Sequence, residues 1–145
     1  MSKANDIAEA MALHLSALTT LPGVPVFVDR QKDVLNMVAG KVAKGGAGAC
    51  VTLLYEGFIN PDASASNLPN VVQRYTATVY SRPVLQKVTD MPADDIVEAV
   101  RLGLHRWDPA EIVPGFVEIH VLGGDLRGDP RYLIYDLDIK VITRL

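Results

Sequence analysis

The chain has 145 residues, a formal net charge of −3, and 49% hydrophobic against 21% charged residues. That length provides one domain with its own core, and the balance excludes a wholly disordered chain. Acidic and basic residues are interspersed, without the basic stripe that a dedicated nucleic-acid binder needs to neutralise phosphates.

The single cysteine, Cys50, allows no intramolecular disulfide. It stands in the apolar run 49–54 and reads as a small buried hydrophobe, with no histidine nearby to activate a thiol. Residues 1–9 lack the apolar centre of a signal peptide. No stretch approaches the length of a membrane span. The expectation is a cytosolic protein with no membrane partner.

The first predicted element is a helix, roughly Ala4 to Leu18, with Ile7, Met11, Leu15 and Leu18 along one stripe. Pro22-Gly23 ends it. Val24 to Val28 is a short strand, and Pro25, which lacks a backbone donor, assigns it to an edge or a connection. A second helical stretch runs from about Asp33 to Lys44, with Val34, Val38 and Val42 in phase and Gly45-Gly46 after it. Ala49 to Phe58 is a strand apolar on both sides: Val51, Leu53 and Tyr55 on one face, Cys50, Leu54 and Phe58 on the other. The segment from Ile59 to Asn70, rich in Asn, Asp, Ser and Pro, is a long polar loop.

Val71 to Ser81 alternates as a strand, with Val71, Gln73, Tyr75, Ala77 and Val79 on one face. Met91 to Asp95 opens a third helix with proline and carboxylates in its first turn. Ile96, Val97, Val100, Leu104 and Trp107 form its inner stripe. The C-terminus is a long β-hairpin with arms Phe116 to Leu122 and Tyr132 to Arg144 and a turn region Gly123 to Arg131. In the second arm Leu133, Tyr135, Leu137, Ile139 and Val141 share one face, with Asp136, Asp138 and Lys140 on the other. The predicted fold class is α+β: a mostly antiparallel sheet of about four to five strands, helices packed on one face, and a long C-terminal β-hairpin.

No pattern of catalytic or metal-binding chemistry emerges. His14, His105 and His120 are far apart and lack zinc-ligand spacing. Asp136-x-Asp138 reads as the solvent or subunit side of an amphipathic strand before it reads as a cation site. Gly45-Gly46-Ala47-Gly48 precedes a strand, the reverse of a dinucleotide loop. Trp107 is expected to pack against the sheet, with an interface anchor as the alternative. Surplus strand and a long loop point to a protein that docks onto other proteins by sheet edges and loops. No enzyme activity and no cofactor are expected.

The order of elements resembles the tail terminator (tail completion) proteins of long-tailed bacteriophages, of the lambda type. The features that carry the resemblance are the first helix and Val24-Pro25-Val26-Phe27-Val28-Asp29-Arg30, then the strand Val51 to Gly57 and its polar loop. Gln73 to Tyr80, the helix Asp95 to Val100 and the hairpin ending Ile134 to Ile142 complete them. The resemblance spans nearly the whole chain and is one of architecture, without a diagnostic motif. It implies a virion structural protein that forms a homohexameric ring, caps the finished tail tube and offers the head–tail joining surface. Its partners would be itself, the tail tube protein and the head–tail connector protein. DNA would enter only by passing through the ring lumen. The location implied is the host cytoplasm during assembly and then the virion, at the tail–neck junction. Another neck or head–tail connector component is the alternative, and a small-molecule enzyme a more distant one. Under this reading the interface residues are Ile59, Asn60, Asp62, Asn67 and Asn70 in the long loop, Arg74 and Arg82 on and after the following strand, and Asp125, Arg127, Asp129 and Arg131 at the hairpin tip.

Overall fold

A computed structural model describes residues 3–29, 48–59, 70–82, 86, 90–105, 107–109, 115–128 and 132–144. Its elements in chain order are α1 (Lys3–Ser16), β1 (Val26–Asp29), β2 (Ala49–Ile59), β3 (Asn70–Ser81), α2 (Ala93–His105), β4 (Phe116–Gly128) and β5 (Leu133–Arg144). The five strands form one sheet in the order β1-β2-β3-β5-β4. Three of its four pairings are antiparallel, and both helices lie on one face, as the strand and helix periods predict.

β1 is an edge strand, one of the two places that the preceding Pro25 allows, and it pairs with β2 in parallel. Pro25 can donate nothing, but its carbonyl accepts from Val51 N–H at 2.9 Å and so starts the ladder. Parallel neighbours need a crossover connection. The helical stretch expected from Asp33 to Lys44 falls in that connection and lies outside the described residues.

The core fills the space between the helices and one sheet face. Ile7, Met11 and Leu15 from α1 and Ile96, Val100 and Leu104 from α2 are fully buried against Val51, Leu53, Tyr75, Ala77, Val79, Ile139 and Val141. These are the predicted stripes meeting the predicted faces. Trp107, just past α2, is buried with its ring stacked 5.7 Å from His14 and 5.7 Å edge-on to Phe116, so packing is its role. α1 and α2 cross at Gly103, whose carbonyl accepts from His14 Nε2 at 2.9 Å.

Three strand irregularities break simple alternation, the first of those in β4 lying between Phe116 and Glu118. In β2 the register slips between Tyr55 and Gly57, where Gly57 takes φ 125°. Phe58 then pairs with Gln73, so it faces the same side as Tyr55 and Tyr75, not the side of Cys50 and Leu54. In β4 the register slips between Val121 and Gly123. The expected turn region therefore begins too early: Gly123 to Gly128 continue β4, and Gly128 still pairs with Leu133. Gly124 serves close approach here instead of a turn, while the space over Gly123 is open. A Cβ on Gly124 would stand 2.6 Å from Leu137 Cδ2 and 3.1 Å from the Asp136 carbonyl oxygen.

Candidate protein-binding surface

The sheet face away from the helices has two parts. At one end Cys50, Tyr80 and Ile134 are buried together, with Phe27 and Tyr132 beside them. Burial of Cys50 fulfils the reading of it as a small hydrophobe. Beyond this cluster the face turns polar because every second residue of β3 and β5 is polar. The register aligns Thr78 with Asp136, Thr76 with Asp138 and Arg74 with Lys140, while β4 adds Asp125 opposite Asp136 and His120 opposite Lys140.

Glu56, Asp125, Asp136 and Asp138 line one shallow depression on this face, along with Thr76 and Thr78. Two of these carboxylates are held by threonines: Thr76 Oγ1 donates to Glu56 at 2.7 Å and Thr78 Oγ1 to Asp136 at 2.8 Å. Along the same face the charge changes sign, with Arg74 and Lys140 bordering Glu56 and Asp138. Among the described residues no group of three His, Cys, Asp or Glu side chains is placed to hold a metal ion. No helix of the described residues is long and apolar enough to cross a membrane.

On the helix side, the Tyr55 and Tyr75 rings lie 5.3 Å apart, and Tyr55 donates its hydroxyl to Gln73 Oε1 at 2.8 Å. Burial raises both phenol pKa values; the neighbouring Tyr55 adds to the shift of Tyr75. These tyrosines belong to the packed core more than to any accessible surface.

Of the nominated residues that the structure describes, Ile59 and Asn70 stand at one end of the sheet and Arg82 at the other. Ile59 closes β2 and Asn70 opens β3 opposite Arg144. Arg82 lies just past β3, its N–H donating to Gly48 O at 2.8 Å, near the end where Ser81 pairs with Leu133 and Leu133 with Gly128. The two ends are about 35 Å apart at the usual strand rise, so the nominated residues form no single patch. Asp125 and Arg127 belong to β4 and do not sit at a hairpin tip. Arg74 is exposed on the polar face. Asn60, Asp62, Asn67, Asp129 and Arg131 lie outside the described residues.

The sequence reading missed a row of exposed apolar side chains on the β4 edge. Val117, Leu122 and Leu126 on β4 are 41%, 57% and 57% exposed, and Leu133 on the neighbouring strand is 41% exposed. A signal for them existed: apolar residues continue through 116–126 on both parities, more than one buried face can use. An edge strand of 13 residues with such side chains is a template for another chain. No protein-family model matches this sequence, and no curated protein is significantly similar to it.

Proposed function

We propose that this protein is a structural subunit of a long-tailed phage: it caps the completed tail tube, ends its polymerisation and presents the head–tail joining surface. The observation that carries the reading is the β4 edge, long, apolar and on the rim of a sheet whose other face is stabilised by two packed helices. A rigid sheet of this kind holds edge and loops in place for head-to-tail contact, and such contacts close into a ring when the rotation between subunits permits. Six copies in the ring, with tail tube protein on one side and connector protein on the other, complete the assignment.

The polar face fits a surface that meets partners through charge. Its acidic stretch at Asp125, Asp136 and Asp138 and its basic stretch at Arg74 and Lys140 set orientation more than affinity. The test is to mix purified protein with tail tubes assembled in vitro and image the ends by negative-stain electron microscopy. The expected result is a ring at tube ends and arrest of tube growth, with both lost in Leu126→Asp. Tubes that lengthen unchanged at saturating protein overturn the proposal.

A further inference from the structure

The β4 edge has a symmetry of its own. Before the register slip, Ile119 and Val121 pair with Val141 and Ile139; after it, Gly124 and Leu126 pair with Leu137 and Tyr135. All four partners stand on the helix face of β5, so all four β4 residues do too. On the polar face are His120, opposite Lys140, and Asp125, opposite Asp136. A regular strand cannot pair with itself in a register whose two opposed residue numbers sum to an odd value, because the faces would disagree. The bulge removes that obstacle by shifting the phase at the centre of the strand.

We propose that β4 is the docking site for a second copy of this chain, whose own β4 adds to it antiparallel, joining two five-stranded sheets into one. The register that satisfies the faces places Ile119 opposite the partner's Leu126, Val121 opposite the partner's Gly124 and His120 opposite the partner's Asp125. It also sets Glu118 at the position opposite the partner's Arg127. Each pair occurs twice about the two-fold axis.

Charge complementarity selects this register and this occupant. Within one chain Asp125 faces Asp136, carboxylate against carboxylate, while His120 faces Lys140 with its Nε2 3.3 Å from Glu118. Like charges directly opposed across strands are unfavourable. The two-fold axis sets Asp125 of one copy beside His120, a hydrogen-bond donor, and the neighbouring Lys140 of the other, which relieves the Asp125–Asp136 pair. Shifting by two residues in one direction opposes Glu118 to Asp125, carboxylate to carboxylate. A small residue serves the same arrangement, since the open space over Gly123 faces Leu122 of the other copy. Leu122 and Leu126, both 57% exposed, lose water on pairing.

Such a contact is isologous and closes on itself, so it cannot build a six-membered ring. It is a storage form that occupies the edge which the proposed function assigns to ring neighbours, and it limits open-ended association until a tube end competes for that edge.

Light scattering across a concentration series, into the high micromolar range, provides the test. The expected particle has twice the 15.7 kDa chain mass. His120→Asp weakens the dimer by about tenfold or more through repulsion of the partner's Asp125, and His120→Lys tightens it. The exchange His120→Asp with Asp125→His restores it, while circular dichroism confirms an unchanged fold. The register is read by mixing two variants, His120→Cys and Asp125→Cys. Under oxidant the mixture forms a cross-linked dimer that neither variant forms alone. A monomer at every concentration, or a dimer indifferent to both His120 variants, overturns the proposal. A monomer that still caps tubes refutes the dimer and spares the ring; a dimer that ignores tubes does the reverse.

Discussion

Gly103 gives the sharpest stability prediction. It lies inside α2, where glycine costs about 0.5–1 kcal/mol relative to alanine. On an open helix face Gly103→Ala would therefore stabilise. Here a Cβ would stand 2.5 Å from Leu18 Cδ1 and 3.5 Å from Leu15 Cδ2. Leu15 is fully buried, so Leu18, half-buried beyond the end of α1, must yield. The clashing atom is the free end of a half-exposed side chain that can turn aside, so the clash costs about 1 kcal/mol, the low end for overpacking, and cancels the propensity gain, leaving Gly103→Ala near neutral. Leu18→Ala alone removes roughly half-buried apolar surface, a loss of about 1 kcal/mol. In the double variant the new methyl enters the space that Leu18 vacates. Its cost should fall below the sum of the singles by about 1 kcal/mol, an interaction typical of residues in contact. Urea unfolding of the four proteins, with unchanged m-values, measures the cycle. Additivity within about 0.5 kcal/mol would show that α1 and α2 do not meet at Gly103.

Two other consequences concern the sheet. The pKa of Tyr75 is raised in the folded state, so its contribution is fully present below the unfolded phenol value of about 10 and declines above it, by up to about 1.4 kcal/mol per pH unit. Alkaline urea titrations should show a shallower fall above pH ~10 in Tyr75→Phe than in wild type; identical slopes would refute the burial argument. Gly57 at φ 125° carries the β2 bulge, so Gly57→Val should cost about 1–3 kcal/mol. A loss well under that range, by the same denaturation assay, would mean the strand re-phases without strain.

Much of the fold was legible because periodicity reports burial. The four-residue stripe of Ile7, Met11 and Leu15 and the alternation of Leu137, Ile139 and Val141 needed only the geometry of helix and strand. Pro25 limited its strand to an edge or a connection because a missing donor leaves a ladder position unpaired, and the edge is where β1 lies. Bulges were not legible. One extra residue at Glu56 or Leu122 reverses every later side chain, yet leaves local composition unchanged, so simple alternation places Phe58 on the wrong face and Gly123-Gly124 read as a turn.

The binding surface was legible only in outline. Surplus strand pointed to sheet edges, but the described nominated residues are spread from Ile59 and Asn70 at one end, through Arg74 and Asp125, to Arg82 at the other. The amphipathic pattern determined which residues would be buried and that a sheet would carry them. The tertiary structure alone decided which strand became the free edge. Strand order depends on long-range pairing, β3 with β5 across the whole of α2, and no local preference encodes that choice.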